Sequence, residues 1–370
     1  MSRSRSELRR EIAGVFFRLG VFGFGGPAAH IAMMRNEVVR NRKWLDDSEF
    51  LELVGAVNLI PGPNSTELAI HLGHRRGGRT GLLVAGLCFI IPAVVITSLL
   101  AWLYASHGTS PEMVDIRYGV MPVIAAIIAH AVVSMGRGLA TDVQKLGVCI
   151  GSFTVYVAGA NELLILGAAA ALAAVTARSR DGEVLLLHIP ILIAAQSTSL
   201  WRLSLTFLEI GSVLFGSGYV LVAFLQRNFV DDLGWLTETQ VLDAVAVGQI
   251  TPGPVFSSAT FVGWQIAGVA GAGLATIGIF APSFAFSVIL NSVLKWMRSG
   301  VRTRAVLVGL SSASIGLMAG ALVDIVNTAV VDTFTLCLMI ISLGVMLVLK
   351  LNATWLVAGG VVVGAIGAFV

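Results

Sequence analysis

Long apolar runs follow one another along most of the chain. Eight read as uninterrupted membrane segments: 80–104, 118–136, 145–160 and 162–177, then 268–294, 305–323, 333–349 and 351–370. A helix needs about 20 apolar residues to cross a bilayer. The pair 145–160 and 162–177 is short, split by Gly159-Ala160-Asn161-Glu162. Two further segments in each half, 12–34 and 48–74, then 203–226 and 238–264, are apolar but carry Gly and Pro near their middles. The stretch 178–202 reads as a linker. It opens with Arg178-Ser179-Arg180-Asp181-Gly182 and holds a short apolar run, Val184 to Ala195, broken by Pro190. The pattern predicts an all-α polytopic membrane protein with about ten to twelve membrane segments.

Composition narrows the function classes. Of 370 residues, 56% are hydrophobic and 12% charged, with a mean hydropathy of +0.88. Soluble domains carry roughly 25% charged residues, so an ordinary soluble enzyme and a disordered chain are excluded. Lys and Arg number 24 against 21 Asp and Glu, too small a surplus for a surface that tracks phosphates, so no nucleic-acid partner is expected. Cys88, Cys149 and Cys337 lie inside apolar runs, and their spacing implies neither a disulfide framework nor a metal site. No cofactor is implied. Met1 to Glu11 is basic and lacks a cleavable apolar region, which reads as a cytoplasmic N-terminus and not a signal peptide.

The chain repeats itself. At an offset of 191, Gly20 falls on Gly211, Phe24-Gly25 on Phe215-Gly216, Trp44-Leu45 on Trp235-Leu236, and Pro61-Gly62-Pro63 on Pro252-Gly253-Pro254. Glu52 falls on Asp243, Asn58 on Gln249 and Thr66 on Ser257. The register predicts an ungapped match from about 16 to 80. The organisation expected is therefore 1–178 as one repeat, 179–202 as linker and 203–370 as the second. Residues 1–80 hold twelve Lys and Arg, whereas 200–272 holds two, Arg202 and Arg227. In the second half the basic cluster moves to Lys295, Arg298, Arg302 and Arg304. By the positive-inside rule the same motif region is cytoplasmic in one half and external in the other. That pattern belongs to inverted-topology repeats.

The broken segments carry the chemistry. Asp46 with Glu49, and Thr237 with Gln240, have capping-box spacing. A helix from there stops before Pro61, and a new one opens near Pro63 or Asn64, where Asn64, Ser65 and Thr66 are good capping types. Its N-terminus lies at membrane depth and suits an anion. Phe22-Gly23-Phe24-Gly25-Gly26-Pro27 and its counterpart Phe215-Gly216-Ser217-Gly218 break the preceding segments. Irregular backbone inside a bilayer is tolerated where it is buried in protein or lines a wet cavity. Four paired breaks point to one central site.

The paired Phe-Gly-Gly-Pro and Pro-Gly-Pro motifs, the Trp before the second and the duplicated layout resemble the chromate transporter family, in its long two-domain form. The resemblance covers about residues 12–370. It implies a carrier in a bacterial or archaeal cytoplasmic membrane that exports chromate, confers chromate resistance and uses the proton motive force, with sulfate as competing anion. The second half lacks the proline equivalent to Pro27, which implies that the first repeat dominates binding.

A tetrahedral dianion needs several N–H and O–H donors and one or two cationic groups. Backbone candidates lie at Gly25, Gly26, Gly62, Asn64, Ser65, Gly216, Ser217, Gly218 and Gly253, held by turns that include Pro27, Pro61, Pro63, Pro252 and Pro254. Side-chain candidates are Asn58, Asn64, Ser65, Thr66, Gln249, Thr251, Ser257 and Ser258. A Ser or Thr in a helix also bonds its own backbone, the competing use of each hydroxyl. Ionisable residues in apolar segments are coupling candidates. Arg18 and Glu209 are repeat equivalents placed to pair across the two halves. Glu52 and Asp243 are equivalents placed to carry protons. Glu67 stands in the first turn after Pro-Gly-Pro, either stabilising the helix start or carrying a proton, with His71 one turn away as an i,i+4 partner. His30, His74 and His130 titrate in the same pH range, and Arg35, Glu37, Arg40, Arg42 and Lys43 read as an inside-facing loop. The leading function is secondary transport of a chromate or sulfate dianion across the bilayer. A sulfate importer and an anion channel are the alternatives, and two copies associating is the expected assembly.

Overall fold

The computed structural model describes residues 5–57, 60–107, 110–139, 142–176, 200–215, 218–299, 301–349 and 351–367. The expected linker falls almost wholly outside them, as do Asn58, Gly216 and Ser217. Fourteen α-helices account for nearly all of the described residues. In the first half they are α1 (Arg5–Phe22), α2 (Gly26–Arg35), α3 (Asp47–Val57), α4 (Asn64–His107), α5 (Pro111–Gly136), α6 (Val143–Val157) and α7 (Glu162–Thr176). In the second they are α8 (Leu200–Val213), α9 (Leu221–Leu225), α10 (Glu238–Ile250), α11 (Ser258–Ser299), α12 (Val301–Ala329), α13 (Thr333–Leu349) and α14 (Ala353–Gly367).

The order repeats down to its irregularities. A π-helical turn follows α2 at Asn36–Asn41 and another follows α9 at Gln226–Asp232. The stretch Arg35–Arg42, read above as a loop, is thus largely helical. Each turn is closed by a left-handed residue, Lys43 at φ 52° and Gly234 at φ 59°. In each, the next Trp amide then bonds back: Trp44 N–H to Val38 O at 2.7 Å and Trp235 N–H to Phe229 O at 2.9 Å. Both capping boxes form. Asp46 and Glu49 exchange bonds of 3.1 and 2.8 Å, and Thr237 pairs with Gln240 in the same way.

The four expected breaks are all present, after Phe22, Val57, Val213 and Ile250. The long helices α4 and α11 are each two helices joined at a kink, at Gly77–Gly78 and at Ala267–Gly268. These kinks lie 190 residues apart, as do Pro92 and Pro282. The match is therefore not ungapped to residue 80. One residue is lost between the Pro-Gly-Pro turn and the kink, where a 3₁₀ turn, Val255–Ser257, precedes α11 and α4 has no counterpart.

Packing interlocks the halves. Within each, α1 lies along α4 and α8 along α11. Between them, α4 meets α11, α12 packs on α6 and α7, and α5 packs on α13 and α14. Four helices among the described residues are long and apolar enough to cross a membrane, while α6, α7, α13 and α14 are shorter apolar helices. The outer face of α4 presents Leu83, Leu87, Ile91, Val95 and Leu99 at four-residue spacing, all exposed. Its first turns instead bury Ser65, Thr66, Glu67 and His71. Apolar side chains outside and polar ones within is the arrangement of a chain solvated by lipid. The protein is an all-α, multi-pass membrane protein.

Candidate functional site

The breaks meet at the centre. At the first Pro-Gly-Pro turn, Gly62 (φ 127°) donates its N–H to Leu214 O at 2.8 Å. At the second, Gly253 (φ 94°) donates to Gly23 O, also at 2.8 Å. Leu214 and Gly23 are themselves repeat equivalents, at the broken ends of α8 and α1. The positive φ suits glycine at both turns. The crossed bonds give buried backbone groups their partners inside the protein, as a bilayer demands. They also correct an expectation: the Gly62 and Gly253 amides are engaged by the fold and are not available to an anion.

Beside these turns lies a cavity of about 390 Å³. Gly25, Pro27, Pro63, Asn64, Ser65, Gly218 and Pro254 line it, so both Pro-Gly-Pro turns and both earlier breaks contribute. The first residues of α4 face it, where helix geometry leaves amides without an intrahelical acceptor. Pro27 opens α2 in the favoured first-turn position. The second half has Gly218 in that place, and α9 begins only at Leu221.

Several lining groups were not among the expected ones. His130 and Ser134 come from α5, Tyr219 from the turn before α9, and Asn352 from the gap between α13 and α14. His130 was legible as a histidine in an apolar segment, and Asn352 as an amide near the start of the 351–370 run. Neither could be placed without the packing of α5 on α14. Among the described lining residues there is no Lys, Arg, Asp or Glu, so the expected cationic group is absent from them, and His130 contributes an imidazole.

Other candidates stand elsewhere. Gly26 is buried and outside the lining, with the Tyr219 hydroxyl 4.0 Å from where its Cβ would be. Pro61, Pro252, Thr66, Gln249, Thr251 and Ser257 are outside the lining. Thr251 Oγ1 donates to Val247 O at 2.7 Å and Ser258 Oγ to Val255 O at 2.8 Å, so these hydroxyls serve their own helices. Tyr219 hydrogen-bonds the side chain of Gln249, and the Gln249 backbone carbonyl accepts from Thr354 Oγ1 at 3.0 Å. Thr66 and Ser257 are fully buried with hydroxyls that have no partner.

The charge pairs are not the expected ones. Arg18 and Glu209 do not meet: Arg18 acts on Glu37, and Glu209 stands near Glu162. Equivalence in the repeat places two residues at matching positions, not in contact. Glu52 is exposed, whereas Asp243 is buried and held. Asp243 Oδ2 accepts from Tyr104 at 2.6 Å and from Arg117 Nε at 2.9 Å, and Arg117 also donates to Tyr104 at 2.7 Å. Glu67 and His71 form no pair, since the Glu67 carboxyl turns back under Gly62. At the basic end, Glu11 gathers Trp44, Arg42 and Arg76 at 3.2, 3.4 and 3.0 Å, and Arg76 stacks 5.3 Å from the Trp44 ring centroid. In the same exposed region Asp47 is held below the usual carboxylate range by its hydrogen bond from Arg35.

The comparison with known proteins decides the family. The model of the chromate transporter family matches the chain twice, at residues 10–175 and 201–365. The chain belongs to the chromate transporter family. It is 31% identical to a probable chromate transport protein of Synechococcus elongatus over 348 residues, 90% of this chain and 88% of that one. It is 29% identical to the chromate transport protein of Cupriavidus metallidurans, over 96% of this chain and 92% of the relative. To the chromate transport protein of Pseudomonas aeruginosa it is 29% identical, over 84% and 79%. No solved structure gives a significant match. The crossed bonds tie each matched segment to the other.

Proposed function

We propose that this chain is a secondary carrier that exports chromate across a bacterial or archaeal cytoplasmic membrane and so confers chromate resistance. Export draws on the proton motive force, and sulfate shares the path. The observation that carries the proposal is the central cavity: helix-start amides, hydroxyls, two amide side chains and an imidazole surround a space with no carboxylate among its described lining residues. Such a lining suits a tetrahedral dianion and binds it without the grip of a fixed lysine or arginine. The named chromate transport relatives support the choice of substrate.

In this reading residues 1–178 and 203–370 are two repeats inserted in opposite senses, joined by 179–202, with the N-terminus cytoplasmic. The crossed Gly62–Leu214 and Gly253–Gly23 bonds support a twofold relation between them, and the basic residues concentrated in 1–80 support the inversion. Alternating access then moves one repeat against the other about these turns.

The test is chromate uptake into inverted membrane vesicles from cells with and without the protein, with excess sulfate as competitor. Protein-dependent uptake that needs the proton gradient and falls with sulfate is expected. No uptake, from energised vesicles that contain the protein, overturns chromate export and turns attention to sulfate import. An ohmic current without counterflow replaces the carrier by a channel.

A further inference from the structure

Glu67 is fully buried in the first turn of α4. An acid there ordinarily serves the helix N-terminus. This one does not. Neither carboxyl oxygen has a well-formed hydrogen bond, the Ser283 hydroxyl being its polar neighbour, and the amides of Thr66 and Glu67 turn to Pro63 O at 2.8 and 3.0 Å. The carboxyl lies directly under Gly62. A methyl on Gly62 would strike Glu67 Oε1 and come within 2.9 Å of Ser283 Oγ.

The surroundings are polar but uncharged. Ser283 of α11 comes close without hydrogen-bond geometry, and its hydroxyl and that of Ser287 are also unpartnered. His71, one turn along α4, is buried with Nε2 unpartnered, and His74 follows it. His30 of α2 is turned away, to Gly23 O at 2.9 Å. From α1, α2, α3, α10, α11 and the 3₁₀ turn Val255–Ser257, the elements packed on α4, no described Lys, Arg, Asp or Glu acts on Glu67. An ionised carboxylate without a charged partner is costly in such a place.

The repeat shows that the fold does not require this acid. At the equivalent point a methyl on Gly253 would sit 2.9 Å from Ala93 Cβ, and the positions matching Glu67 are Ser257 and Ser258. The first turn thus faces a buried acid, and the second faces Ala93 and two backbone carbonyls.

We infer that Glu67 is a proton-loading site of the transport cycle. It holds a proton while the first Pro-Gly-Pro turn is docked on Leu214, and releases it when that contact opens and water enters. One carboxylate oxygen takes and returns the proton, and no other bond changes. The dianion cavity begins at Asn64 and Ser65, in the same helical turn, so the charge of Glu67 is felt by the substrate. This inference rests on the transport reading above and names its coupling group.

The test uses purified full-length protein in proteoliposomes. Chromate counterflow and chromate-linked proton flux are read separately, the latter with an entrapped pH dye. Wild type is expected to show both, and Glu67→Gln to keep counterflow while losing proton flux and the pH dependence of exchange. Wild-type protein without counterflow fails the transport reading, whatever Glu67 does. Wild-type counterflow without proton flux overturns this inference alone. So does Glu67→Gln that retains proton flux, or that is monodisperse yet loses both activities. Should Glu67→Gln not be recovered folded, Glu67→Asp carries the test. A shifted pH profile of exchange supports the site, and an unchanged profile overturns it.

Discussion

The Gly62 amide reaches across the molecule to Leu214 O, and Gly253 returns the bond to Gly23 O, both at 2.8 Å. Each Pro-Gly-Pro turn thereby ends one half's broken helix on the other half's. Gly62→Ala meets Glu67 and Ser283, and Gly253→Ala meets Ala93, each from a backbone that disfavours a side chain. Each substitution is expected to cost about 3 kcal/mol through strain and overpacking. Thermal unfolding of the purified protein in detergent measures it. Melting unchanged in either variant would show that the turn is not the junction described.

Asp243 and Glu52 occupy matching positions and should behave differently. Removing one member of a buried pair leaves the other charge uncompensated, so Asp243→Ala is expected to destabilise by about 3 kcal/mol, the lower end for buried pairs because Arg117 is partly exposed. Glu52→Ala, at an exposed position, should stay within about 0.5 kcal/mol. Equal shifts in melting temperature would refute the asymmetry.

Lys43 and Gly234 share a left-handed backbone conformation. Exchanging them tests whether the matching π-turns are equally strained. Gly234→Lys is expected to cost about 1 kcal/mol, and Lys43→Gly to leave the melting temperature equal or higher. A marked loss in Lys43→Gly would mean that the Lys43 side chain matters more than its backbone.

Asp332 starts α13. Its carboxyl lies below the usual range because the Thr335 amide donates to it at 2.8 Å, with the Tyr118 hydroxyl donating at 2.5 Å. A depressed value stabilises the fold above the unfolded carboxylate value, about 3.9, and that contribution fades as pH falls through the folded value. Melting of Asp332→Asn should therefore lie below wild type at neutral pH, with the gap closing in acid. A gap that widens in acid would contradict the assignment.

Much of this architecture was legible in the chain. Pro61, Pro252 and the glycines after Phe22 and Phe215 interrupt apolar runs, and local backbone rules carry such breaks directly into structure. The capping boxes are equally local. What failed to transfer was long-range. His130, Ser134 and Asn352 reach the cavity only because α5 packs on α14, and no spacing within one segment records that. Arg18 and Glu209 matched in register, but register does not bring side chains together. The one-residue slip before Gly77 was hidden because Ser257 and Ser258 are alike, so either alignment of Glu67 looked equally good.

The interlocked packing of α5, α6 and α7 with α12, α13 and α14 has a consequence for biogenesis. When the first seven helices have left the ribosome, the partners of α5 to α7 do not yet exist. That surface must wait, in lipid or against an insertion factor, until α12 is made. Ribosomes stalled before residue 301 should therefore hold α5 to α7 open to lipid-phase crosslinkers, and those stalled after residue 367 should hold them closed.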